Sequence, residues 1–109
     1  KKMRNLIIGA FLMFTGLTQA QDITIIHVNA KWNSHNDLEI RNIKGARVQY
    51  AILEEQSDNL KKRVTSVPTL LVYKESRLVH TVEAGLTMTL NISREEIQKI
   101  VNSFKDNGN

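Results

Sequence analysis

The sequence predicts an α/β fold: a mixed four-stranded sheet flanked by helices, in the order β-α-β-α-β-β-α. Three observations carry this expectation. Short β-branched runs alternate with segments whose apolar residues recur at helical spacing. Pro68 cannot lie inside a helix, so it closes the second helical segment and opens a new strand. Ser93-Arg94-Glu95-Glu96 reads as a capping box, with Ser at the N-cap and Glu three residues later. A βαβ unit followed by an antiparallel ββα unit places helices on both faces of one sheet.

Taken in order, Ile23–Val28 (ITIIHV) is short, apolar and β-branched, the pattern of a buried strand. Asn33 and Ser34 are good N-cap residues. Leu38, Ile40 and Ile43 behind them predict a short amphipathic helix, ended by Gly45 with Lys44 in its last turn. Val48–Leu53 (VQYAIL) is the second strand. Ser57 or Asp58 caps a short helix that turns Leu60 and Val64 inward at i, i+4. Thr69–Tyr73 and Leu78–Val82 are strands joined tightly through Lys74-Glu75-Ser76, and Gly85 closes the second of them. In the last helix Ile97, Ile100, Val101 and Phe104 form one apolar stripe. Asn91-Ile92-Ser93 also matches a glycosylation acceptor, but the capping role of Ser93 accounts for more of the surrounding residues.

The formal charge is +4, from 15 basic and 11 acidic side chains. Three of the basic residues, Lys1, Lys2 and Arg4, lie in the first four positions, and residues 1–20 carry no acid. Beyond residue 20 the balance is 12 against 11, so the basic character belongs to the leader. Nucleic acid is therefore not expected as a partner. Lys61-Lys62-Arg63 reads as the solvated face of a helix.

The leader has the layout of a secretory signal peptide: a positive start, the apolar run Leu6–Leu17, and small residues at Thr18 and Ala20. The 12-residue run is short against the ~20 residues of a membrane-spanning helix. Residues 1–20 are expected to be a cleaved leader, and residues 21–109 the domain. The alternative is an uncleaved N-terminal anchor that holds the domain at a membrane through residues 6–17. Export predicts a periplasmic or extracellular location. The chain has no cysteine with which to form disulfides there.

The element order, with Trp32 after the first strand and Val67-Pro68-Thr69 before the third, resembles thioredoxin over residues 23–104. In that family a Trp-Cys-Gly-Pro-Cys motif follows the first strand. Here Trp32 keeps its place, while Asn33 and Asn36 stand at the two cysteine positions with Ser34 and His35 between them. Pro68 matches the family's cis-proline, Gly85 matches the glycine after the fourth strand, and His27 falls at the family's buried acid. The resemblance implies a shallow groove between the Trp loop and the proline loop. Extended peptides lie in such a groove against backbone next to the proline.

The departure decides the chemistry. Thiol–disulfide exchange needs a thiolate, and a carboxamide supplies none. Reductase, isomerase and peroxidase activities are therefore not expected, and no residue is assigned a catalytic role. Ser34 would need a positioned base to act as a nucleophile, and His35 is its only sequence neighbour of that type. Its plain role is to cap the helix, with His35 exposed. His27, His35 and His80 lack the close spacing of metal-site motifs, so neither metal nor other cofactor is expected. A buried His27 would be a neutral stand-in for the family's acid.

What the resemblance leaves is a surface: Trp32, Asn33, Ser34, His35 and Asn36 on one side, Val67 and Pro68 on the other. A redox-inactive domain can keep strand-like peptide recognition after losing its thiols, with Trp32 as the apolar anchor. The expected function is a protein-binding module or the subunit of a larger assembly, its partner another protein or an extended peptide. The opposing readings are that Trp32 packs on its helix above a degenerate loop, or that the chain is an enzyme of non-thiol chemistry.

Overall fold

A computed structural model describes residues 23–107. The expected leader and its cleavage point lie outside these residues. Four strands form one mixed sheet: β1 Ile23–Asn29, β2 Arg47–Ile52, β3 Thr69–Lys74 and β4 Arg77–Glu83. Their spatial order is β2-β1-β3-β4, with β1 parallel to β2 and antiparallel to β3, and β3 antiparallel to β4. Two α-helices follow the predicted places, α1 over Asp58–Arg63 and α2 over Arg94–Asn107.

All seven residues of β1 are buried, as befits a central strand covered on both faces. Its side chains feed two apolar clusters. Ile26 and Val28 meet Leu71, Leu60 and Val64 on the α1 side. Ile23 and Ile25 meet Leu70, Val72, Ile97 and Val101 on the α2 side. The Ile97/Val101 stripe is thus the face that α2 buries. The capping box forms in full: the Ser93 N–H donates to Glu96 Oε1 at 2.8 Å, and the Glu96 N–H donates to Ser93 Oγ at 3.1 Å. Ser57, not Asp58, caps α1, accepting the Leu60 N–H at 3.3 Å. Between β3 and β4 a two-residue turn places Glu75 and Ser76 at φ 52° and 77°, the left-handed pair that matches the twist of a tight hairpin.

The first predicted helix is not there. A 3-10 stretch spans Lys31–Asn36, and residues 37–43 run without regular structure. Neither Asn33 nor Ser34 acts as an N-cap; Ala30 occupies that position and makes no side-chain cap bond. Side chains from the sheet and α2 take the backbone bonds that a helix would have made for itself. The Leu38 N–H donates to His27 Nε2 at 3.0 Å, and the Ile40 N–H donates to the Tyr50 hydroxyl at 2.9 Å. That hydroxyl in turn donates to the Leu38 carbonyl at 2.8 Å. Gln98 on α2 makes a reciprocal pair with the Lys44 backbone, both bonds at 2.8 Å. Leu38, Ile40 and Ile43 still enter the α2-side core, so the apolar pattern is honoured by an extended segment. Gly45 ends no helix. It lies in a turn at φ 87°, where an added Cβ would sit within 3 Å of the Lys105 side chain.

Candidate functional site: an apolar groove tied by carboxamides

The carboxyl end of β1 leads through Asn29 and Ala30 into the 3-10 stretch. The Lys31 N–H opens that stretch by donating to both carboxylate oxygens of Glu54, at 2.9 and 3.2 Å. Trp32 then stands 62% exposed, while the next residue, Asn33, is buried. Asn33 breaks the helical path at φ −110°, ψ 16°, and this turns its side chain inward.

A buried carboxamide must have its hydrogen bonds met, and here they are. Asn33 Nδ2 donates to Asn29 Oδ1 at 3.0 Å and to the Met88 carbonyl at 3.1 Å. Its Oδ1 accepts from Asn36 Nδ2 at 2.8 Å. Asn29 completes the network, donating to the Asn33 carbonyl at 2.8 Å and to Asp37 Oδ1 at 2.6 Å. Through Met88, Asn33 ties the loop after β1 to the loop after β4.

On the facing side, Ser66 and Val67 run into Pro68, and the Val67–Pro68 peptide is cis. Three bonds fix this turn. Thr69 Oγ1 donates to the Ser66 carbonyl at 2.6 Å, the Gly85 N–H to Ser66 Oγ at 3.0 Å, and the Ala84 N–H to the Pro68 carbonyl at 3.1 Å. Among the described residues, no bond takes up the backbone N–H or C=O of Val67.

Between the two walls lies a groove of about 520 Å³. Its apolar lining comes from Trp32, Leu53, Val64, Val67, Leu86 and Met88. Leu86 is 99% exposed and Met88 42%, so with Trp32 they give the groove three exposed apolar side chains. Gly85 lies between β4 and Leu86 at φ 74°, with no atom within 4 Å of the place a Cβ would take.

The structure distributes the sequence-predicted residues unevenly. Trp32 and Val67 line the groove. Pro68 is buried and is not part of the groove lining. Asn33 and Asn36 belong to the carboxamide network. Ser34 is exposed and borders a separate cleft of about 310 Å³ beside His27, Asp37 and Tyr50. His35 is exposed, and its Nε2 lies 3.4 Å from Asn36 Nδ2. No hydrogen bond among the described residues joins Ser34 to either histidine.

His27 is buried against the Tyr50 ring, with centroids 4.6 Å apart. Its Nε2 accepts the Leu38 N–H, which assigns the proton of the neutral ring to Nδ1. Burial holds its pKa below the usual 6.5, against the opposing pull of the Asp37 charge and of a backbone hydrogen bond. No group of three or more His, Asp or Glu side chains among the described residues could hold a metal ion.

Sequence reading missed Asn29, Tyr50, Leu86 and Met88. Leu86 and Met88 did leave a signal, two large apolar residues in the short segment after a strand-closing glycine. Asn29 and Tyr50 left none, because their roles depend on a loop path that only the fold reveals.

No protein-family model and no curated protein matches the chain. Solved structures do. The chain is similar to a variant thioredoxin from Halobacterium salinarum NRC-1, with a TM-score of 0.57 and 15% identity over 84% of this chain and 82% of that one. It is also similar to the thioredoxin of Malassezia sympodialis, with a TM-score of 0.54 and 14% identity over 84% and 83%. The class is thus set by fold: a thioredoxin-like α/β domain. This particular chain carries asparagine where the resemblance places the redox pair, and it has no cysteine anywhere.

Proposed function

We propose that this chain is an exported, redox-inactive thioredoxin-like domain that binds an extended segment of another protein in the groove between Trp32 and Val67. One observation carries the reading: the Val67 main chain has both hydrogen-bonding groups unused among the described residues, beside an exposed tryptophan. An extended peptide meets both at once, pairing its backbone with Val67 and laying an apolar side chain on Trp32. The domain then works as a binding or assembly subunit, without turnover.

The test is photo-crosslinking of the exported chain in its host. A benzoylphenylalanine at position 86 should capture a protein partner, and Trp32→Ala should abolish the capture. Capture that survives Trp32→Ala, or equals that from exposed position 99 on α2, would contradict the reading. The leader layout favours release into the periplasm or medium. Retention at a membrane through residues 6–17 is the alternative, and the mass of the exported chain separates the two. No helix among the described residues is long and apolar enough to cross a membrane.

A further inference from the structure

We infer that Glu83 makes the groove selective for a peptide whose large apolar side chain has a lysine or arginine beside it. This rests on the peptide-binding reading above and names the class of peptide it would accept. Glu83 is the last residue of β4, and Thr69, two residues beyond Val67, is its partner in the β3–β4 register. Its side chain therefore stands at the same end of the sheet as the unused Val67 backbone. Among the described residues, Glu83 is the only ionisable one in the groove lining.

Three features make this carboxylate a determinant of specificity rather than a neutralised surface group. It is exposed, and the ion pairs among the described residues engage Glu39, Glu55 and Glu95 instead. The cationic run Lys61-Lys62-Arg63 lies on the exposed turn of α1, and none of the three borders the groove. The rest of the lining is apolar or neutral, which leaves one sign of charge to act on a bound peptide. A strand advances about 3.3 Å per residue, so a side chain next to the anchor comes within reach of a group at the groove's end. An acidic neighbour there is repelled, and a basic one is attracted.

The probes are three capped heptapeptides with a common central Thr-Leu-Thr, flanked on both sides by Lys, Gln or Glu. The readout is the fluorescence of Trp32, the chain's only tryptophan. The lysine peptide should bind about fivefold tighter than the glutamine peptide, a rim-charge effect that shrinks in high salt. Glu83→Gln should erase this preference, and Glu83→Lys should reverse it in favour of the glutamate peptide. Equal binding of all three peptides would overturn the selectivity and leave the groove standing. So would a lysine preference that persists in Glu83→Gln. If no peptide binds to the unaltered chain, the groove reading falls and this inference falls with it.

Discussion

Asn36 donates from Nδ2 to the Oδ1 of Asn33 across 2.8 Å. The two positions that the resemblance assigns to a redox pair are thus joined by a neutral hydrogen bond. Asn33 spends its own two N–H groups on Asn29 Oδ1 and the Met88 carbonyl. Asn33 is thus a structural tie between the loop after β1 and the loop after β4.

Asn33→Ala should therefore be costly. It removes three side-chain hydrogen bonds, takes this donor from the part-buried Met88 carbonyl and leaves Asn29 Oδ1 with the Ala30 N–H alone. We expect a loss of about 2–4 kcal/mol in urea unfolding, against about 1 kcal/mol for the half-exposed Asn36→Ala. Equal, small losses for the two would show that the network does not hold the loop.

Without thiols the domain should not speed the reduction of insulin by dithiothreitol. The rate with protein should match the rate without it. Catalysis above that background would mean that some other group carries redox chemistry.

His27 links stability to pH in a definite direction. Its folded pKa lies below the unfolded value of 6.5, so the unfolded chain binds the proton more readily. The stabilisation is complete above pH 6.5 and is lost as pH falls through the folded pKa. Protonation would also set an Nε2–H against the Leu38 N–H that now donates to it. Urea midpoints measured from pH 7.5 down to 5 should fall, and His27→Gln should flatten the decline. An unchanged slope in that variant would assign the effect to other groups.

Tyr50 is a second support of the segment that replaces the predicted helix. Tyr50→Phe keeps the ring against His27 but removes the bonds to Leu38 and Ile40. It should cost about 1–2 kcal/mol and speed amide exchange at Ile40 in particular. Unchanged exchange there would show that the apolar packing of Ile40 suffices.

The sheet was legible because its signals are local. Ile23–Val28 and Thr69–Tyr73 are runs of β-branched and apolar residues, and Ser93 with Glu96 announces a helix by itself. The segment from Asn33 to Ile43 was misread because Leu38, Ile40 and Ile43 fit a helical face equally well. What overrode that pattern was long-range: a histidine on β1, a tyrosine on β2 and a glutamine on α2 satisfy the backbone instead. The groove was half legible. Trp32 and Val67 sit where the motif resemblance placed them. Asn33 looked like a surface or capping residue, because its burial depends on the distant carbonyl of Met88.

The central claim is that the Val67 backbone, beside Trp32, pairs with an extended peptide. The most direct measurement is an amide-resolved NMR titration of the domain with the lysine-flanked heptapeptide. The account predicts that the Val67 amide shifts downfield and gains exchange protection, together with a shift of the Trp32 indole N–H, and that Trp32→Ala weakens the Val67 response without unfolding the domain. A bound peptide that leaves Val67 and Trp32 unmoved, or that perturbs the edge of β2 instead, would contradict it.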